Sequence, residues 1–161
     1  MIELISLKSY WHNEFLDKQD AQQIKANQYI DTITTGDFCK TKELKFTSMS
    51  VLRMLEFGDY LFVNVVKIRL VSFAVCTDHP GKYHIWGKEF ASKHGHLQID
   101  LMCSIVSNES RPLFLAIQNF AKTVLFRLSL QLVPLNIPKV KELYESWGFQ
   151  TIKGGVMRLL L

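Results

Sequence analysis

Between Arg127 and Leu161 the chain changes hydrophobic period in an order that leaves few folds open. Arg127 to Val133 alternates Leu128, Leu130 and Leu132 with Ser129 and Gln131, a period of two that predicts a strand. Pro138 then opens a helix, at a position where its missing N–H costs nothing. Val140, Leu143, Tyr144 and Trp147 recur at i, i+3, i+4 and i+7, which gives that helix one apolar face. Gly148 is placed to stop it, because the residue just past a helix end often takes a positive φ, which glycine adopts without steric cost. Phe149 turns back to the core, and Val156 to Leu161 closes the stretch as an apolar strand. The result is a compact βαββ unit.

Upstream, Ile2 to Ser6 reads as a short strand and Tyr10 to Ile30 as a helix, with Trp11, Phe15, Ala21, Ile24 and Tyr29 apolar among Asp, Lys and Gln. Residues 34–37 form a loop, and Glu43 to Phe57 predicts a second helix. Tyr60 to Cys76 is dense in β-branched and aromatic residues. It predicts two antiparallel strands that turn near Val66 to Ile68, although no Asn-Gly pair marks the turn. His79-Pro80-Gly81 begins a polar connection to Gly95, His96 to Ile105 is a strand, and Val106 to Ser110 a loop. Arg111 to Phe126 is a helix, apolar on most sides and so expected to be well buried, with Pro112 in its first turn. Strands on either side of that helix need a crossover, so those near 97–105 and 127–133 are expected to run parallel.

With 161 residues, 48% of them hydrophobic, the chain can bury a real core, and one domain over 1–161 is expected. No apolar run is long enough to span a membrane, and no basic-then-apolar leader is present. Cys39, Cys76 and Cys103 are odd in number and widely spaced. They suggest neither a disulfide framework nor a zinc knuckle, so a reducing intracellular compartment, cytoplasmic or nuclear, is expected. The net charge of +4 suits a polyanionic ligand, but no nucleic-acid-binding motif appears and nucleic acid is not an expected partner. The sequence does not state an oligomeric state.

The string Leu143-Tyr144-Glu145-Ser146-Trp147-Gly148-Phe149, with a strand before it and the Met157-containing strand after it, resembles the C-terminal part of the GNAT acetyltransferase superfamily. The resemblance implies an α/β (α+β) fold: a mixed, mostly antiparallel central sheet flanked by helices, with a splayed parallel strand pair. It also implies acetyl-CoA as cofactor and N-acetyl transfer, by direct attack, to an amine of a protein or small molecule. The pattern Ile99 to Ser104 together with the Tyr144 helix looks more like members from large DNA viruses and protists than like bacterial drug-modifying ones.

The family's acetyl-CoA site maps onto backbone of Met102, Cys103, Ser104 and Ile105 and onto the loop ahead of the next helix. That loop departs from the family pattern. Both glycines that let phosphate approach the backbone are missing, Pro112 removes an amide donor, and Glu109 adds a negative charge. Ser107, Ser110 and Arg111 could supply side-chain contacts instead, and a plain helix cap, with Ser110 at the N-cap and Pro112 near N1, explains the same residues. Asn136 resembles the family's asparagine ahead of the last helix, although its spacing to Tyr144 is one residue too long.

Tyr144 falls where the family keeps its general acid, although its place on the apolar face equally suits a core tyrosine. For the general base, Asp100, His96 and Glu89 lie in or just before the relevant strand, Asp100 sharing a face with Gln98 and Met102. His94 and His96 read as exposed loop histidines, and Cys103 as a buried strand residue without a nucleophilic role. The degenerate loop keeps open a second function, a GNAT-fold binding or regulatory protein without catalysis.

Overall fold

The computed structural model describes residues 1–12, 21–36, 48–85, 88–91, 95–105, 109–134 and 137–161. Its elements are β1 (Ile2–Ser6), α1 (Leu7–Trp11), α2 (Ala21–Thr35), α3 (Ser48–Phe57), β2 (Tyr60–Val66), β3 (Arg69–His79), β4 (Lys82–Ile85), β5 (Lys88–Ala91), β6 (His96–Ser104), α4 (Ser110–Thr123), β7 (Ser129–Leu132), α5 (Pro138–Ser146), β8 (Gln150–Thr151) and β9 (Met157–Leu160). Seven strands form one mixed sheet in the order β1-β2-β3-β6-β7-β9-β8, and β4 and β5 pair separately as a hairpin. β6 and β7 run parallel, as the crossover through α4 requires, while β1 with β2, β2 with β3, and β9 with both β7 and β8 are antiparallel. The chain forms two compact units, Met1–Cys76 with Leu101–Leu115 and Thr77–Asp100 with Ala116–Leu161.

In the first unit, α2 and α3 bring Ile30, Ile33, Val51 and Leu55 against Leu61, Val63, Phe73 and Val75 of the β2–β3 hairpin. Leu101 and Cys103 of β6 complete this cluster. The hairpin turn is formed by Lys67 and Ile68, with φ of 51° and 65°. Two consecutive positive-φ residues are the geometry of a two-residue hairpin loop, here without the Asn or Gly that normally announces it. The indole N–H of Trp11 donates to the Leu55 carbonyl at 2.9 Å and ties α1 to α3.

In the second unit, β6 and β7 pair through His96↔Ser129, Leu97↔Leu130, Gln98↔Gln131 and Ile99↔Leu132. Their N-terminal ends are fixed together. Arg127 forms a two-pronged contact with Asp78, Nε to Oδ1 at 2.7 Å and a second guanidinium nitrogen to Oδ2 at 2.8 Å. The Leu128 N–H donates to the Gly95 carbonyl. Gly95 has no room for a side chain: a Cβ would lie 2.8 Å from the Pro80 carbonyl oxygen and 3.0 Å from Arg127 Cδ.

Several expectations need correction. The connection from His79 to Gly95 contains the β4–β5 hairpin; alternation of Tyr83 and Ile85 with Lys82 and His84 is a strand signal hidden in a polar segment. The expected helix from Tyr10 to Ile30 is two helices among the described residues, the second running on to Thr35 because Ile33 adds another inward position. The part of the expected second helix before Ser48 lies outside the described residues. Helix α4 buries one face, Leu113, Phe114, Ile117 and Ala121, and leaves Leu115 47% exposed, so its apolar composition overstated its burial. No residue of α5 is fully buried: Leu143 is exposed, and Val140, Tyr144 and Trp147 are half-buried. A helix of nine residues has few positions on its apolar face, and none of them is fully covered.

The end of α5 follows its sequence closely. Gly148 has φ of 101°, its N–H donates to the Glu145 carbonyl, and the Phe149 N–H reaches back to the Tyr144 carbonyl. These are the two bonds of a Schellman stop, and they place the Phe149 ring 5.8 Å from that of Tyr144. Replacing Gly148 with alanine puts a Cβ in a left-handed conformation and 3.1 Å from Leu159 Cδ1. Gly148→Ala should therefore lower stability by about 1–2 kcal/mol in urea denaturation; an unchanged midpoint would mean that the stop does not constrain the helix.

Candidate functional site

The first unit carries the residues assigned to an acyl-CoA donor. Met102, Cys103 and Ser104 end β6, and Ile105 follows with its N–H on the Val71 carbonyl at 2.9 Å. Met102 is half-buried, Ser104 and Ile105 are exposed, and the Ser104 hydroxyl lies 3.4 Å from the Val71 carbonyl oxygen. Ser107 lies outside the described residues. Helix α4 begins at Ser110, so Glu109, not Ser110, precedes the first turn, and Pro112 is its third residue rather than its first. Pro112 still occupies a position whose N–H has no intrahelical partner. Arg111 is exposed in that turn and makes no hydrogen bond or ion pair with a described residue.

Glu109 behaves differently from its sequence-level expectation. Its carboxylate does not stand open at the helix N-terminus. Oε2 accepts from Asn64 Nδ2 at 2.9 Å, and the Glu109 carbonyl accepts from the Ser72 hydroxyl at 3.0 Å. Asn64 and Ser72 are buried polar residues in the hairpin, 2% and 0% exposed. A buried amide or hydroxyl must be hydrogen-bonded, so these two side chains fix the chain at the entry to α4. Sequence reasoning missed both. The available signal was Asn64 itself, an amide in the middle of a run of aromatic and β-branched residues.

The second unit carries the residues assigned to proton transfer. Asp100 is half-buried in β6; Oδ2 accepts from the Thr77 hydroxyl and Oδ1 from Gln98 Nε2 at 3.0 Å. Gln98 shares its face, as alternation predicts. Tyr144 sits on α5 with its ring edge-on to Trp147 at 5.6 Å and to Phe149 at 5.8 Å. Its hydroxyl makes no hydrogen bond to a described residue, and burial pushes the phenol above its ordinary range. The tyrosine is thus both packed and chemically unspent, which the core and catalytic alternatives had kept apart. Asn136 lies outside the described residues, as do His94 and the side chain of Glu89.

Two further corrections concern His96 and Cys103. His96 is no loop residue: it opens β6, is half-buried, and stacks on His79 at 4.8 Å with an 18° interplanar angle. Burial and the neighbouring imidazole hold its pKa below the usual histidine range, partly offset by Asp78. Cys103 is buried as expected, and it is disulfide-bonded. Sequence spacing does not report which thiols meet in space. Among the described residues no helix is long and apolar enough to cross a membrane.

The Glu109 anchor is open to direct measurement. Asn64→Ala removes the donor to a carboxylate and should cost about 1–3 kcal/mol in chemical denaturation, the usual penalty for orphaning a buried polar partner. A cost under about 0.5 kcal/mol would show that Glu109 finds water instead.

No family model matches the chain, and no curated protein matches it. Solved structures do. The chain is similar to a tetramutant of the BH1408 protein from Bacillus halodurans (13% identity, 95% of both chains, TM-score 0.55). It is also similar to a mutant of the AtaT toxin bound to the C-terminus of the antitoxin AtaR and acetyl-CoA (13% identity, 99% of this chain and 92% of that one, TM-score 0.54). PH1933 from Pyrococcus horikoshii OT3 matches at 18% identity over 99% of this chain and 97% of its own, with a TM-score of 0.54. Identities this low carry the architecture alone. With the parallel β6–β7 pair, the α4 crossover and the Tyr144–Phe149 stop in place, the chain has the fold of the GNAT acetyltransferase superfamily.

Proposed function

We propose that the protein is an N-acetyltransferase that moves an acetyl group from acetyl-CoA to a primary amine of a protein or small molecule by direct attack. The observation that carries the proposal is the Tyr144 phenol, held by Trp147 and Phe149 and unpaired with any described residue, with its pKa pushed up by burial. The AtaT neighbour, captured with acetyl-CoA, supports use of the same donor.

In this mechanism the amine nitrogen attacks the thioester carbonyl carbon and the C–S bond breaks as the tetrahedral intermediate collapses. The thiolate takes the Tyr144 proton, and the amine gives up one proton to Asp100 or to water beside it. The tyrosinate then recovers a proton from solvent. A positioned acid of this kind contributes about 10²–10⁴ in rate. Donor binding falls to the backbone of Met102 to Ile105 and to the first turn of α4. The helix dipole and the exposed Arg111 both favour the pyrophosphate there. Glu109, which accepts from Asn64, keeps its negative charge beside that turn and opposes the anion.

One feature favours a second function, binding without catalysis. Residues 107–112 contain no glycine, and Pro112 lacks the amide that would face a phosphate. Transfer of radiolabelled acetyl from acetyl-CoA to a panel of peptide α-amines, lysine peptides and polyamines separates the two. Tyr144→Phe should lower kcat by about 10²–10⁴-fold with little change in KM or melting temperature. Turnover should fall at low pH as the acceptor amine protonates. No alkaline loss is expected until above the ordinary phenol range, because Tyr144 must be protonated to act and burial raises its pKa. Full turnover in the phenylalanine variant would remove Tyr144 from the mechanism, and no transfer to any amine would favour the binding protein.

A further inference from the structure

Among the described residues, strand β1 ends the seven-stranded sheet, and its hydrogen-bond phase leaves an edge that no described strand covers. Met1 and Val65 exchange both backbone bonds, with the Met1 amine on the Val65 carbonyl at 2.8 Å and the Val65 N–H on the Met1 carbonyl at 2.9 Å. The Leu7 N–H meets the Asp59 carbonyl at 2.9 Å. The register between them, Ile2↔Asn64 to Ser6↔Tyr60, assigns the bonded pairs to Glu3 and Ile5. The N–H groups of Ile2, Leu4 and Ser6 and the carbonyls of Ile2 and Leu4 therefore point away from β2. None of them bonds a described residue.

This edge is one wall of a groove of about 500 Å³ lined by Glu3, Leu4, Ile5, Ser6, Gln22 and Lys25, with Ala26 at its floor. Helix α2 is the other wall. Glu3 is held to it by the Tyr29 hydroxyl at 2.7 Å and by Lys25 at 3.3 Å. Ile5 packs on the core beneath α2, so by alternation Leu4 faces the other side of the sheet, where it is 41% exposed. The Lys25 side chain is 58% exposed, and its surface ion pair is a weak competitor for a second carboxylate.

We propose that the β1 edge binds an extended peptide segment of a partner protein as an added antiparallel strand, apolar on its Leu4 side and acidic on its α2 side. Outward donors and acceptors at Ile2, Leu4 and Ser6 recognise its backbone, Leu4 takes the apolar side chains, and Lys25 the acidic ones. The inference is independent of acetyl transfer.

The test uses a fluorescein-labelled peptide, Val-Glu-Val-Glu-Val with blocked ends, and its lysine counterpart, Val-Lys-Val-Lys-Val. The acidic peptide should bind saturably in anisotropy titrations and slow amide exchange at Ile2, Leu4 and Ser6 but not at Glu3 and Ile5, which are already bonded. Leu4→Pro removes one outward N–H without touching the β1–β2 ladder, a substitution that edge strands tolerate. It should weaken binding at least tenfold with a near-native melting curve, and Lys25→Glu should reverse the preference between the two peptides. Lack of saturable binding by the acidic peptide at 1 mM would overturn the proposal, as would binding insensitive to both variants. A concentration-dependent dimer abolished by Leu4→Pro would assign the edge to a second copy and would equally overturn it.

Discussion

The Asp78–Arg127 contact, packed around side-chain-free Gly95, fixes where the parallel pair begins, and much of the candidate site depends on that point. Asp78 is the penultimate residue of β3, Gly95 precedes β6 and Arg127 precedes β7, so one fork-shaped ion pair gathers the three chain segments. From there β6 and β7 share four paired positions, His96 to Ile99 with Ser129 to Leu132. β6 then runs five residues further without β7. The pairing with β7 stops at Ile99, which is the physical content of a splayed pair. The segment beyond the pairing, Asp100 to Ser104, holds the assigned base and most of the assigned donor-binding backbone.

Two local devices give that frame chemistry. In the first unit, Asn64 and Ser72 reach from the hairpin to Glu109 and set the start of α4. The acidic residue that looked hostile to a pyrophosphate is thereby given a partner inside the fold. In the second unit, the Schellman stop after α5 returns Phe149 under Tyr144. Packing and catalysis are compatible at Tyr144 because the ring makes the contacts while the hydroxyl makes none. Burial raises the phenol pKa, so the hydroxyl stays protonated past the ordinary phenol range.

Much of this was legible in the sequence, for identifiable reasons. The last strand, the helix and its glycine stop were readable because local rules govern them: a period of two, a period of 3.6, and one residue that must take positive φ. The parallel pair was readable because a crossover of that length has one common solution. The Lys67–Ile68 turn was only approximately placed, since its residues are there against local preference, and the β4–β5 hairpin was hidden by polar composition. Burial on α5 was overestimated because periodicity says which side faces inward and not how completely the neighbour covers it. The Glu109 anchor and the Cys103 disulfide were out of reach. Both join residues far apart in sequence, and no single-chain pattern encodes which buried amide meets which carboxylate, or which sulfur meets which.

The account rests on the claim that β6 and the first turn of α4 still bind an acyl-CoA although the loop between them has no glycine. Isothermal titration of the purified protein with acetyl-CoA, repeated with Arg111→Ala at two salt concentrations, tests that claim most directly. The account predicts saturable one-to-one binding that weakens with salt, and weaker binding with a flatter salt dependence in the variant. Absence of heat up to millimolar acetyl-CoA would contradict it, and the fold would then serve a protein that does not use this donor.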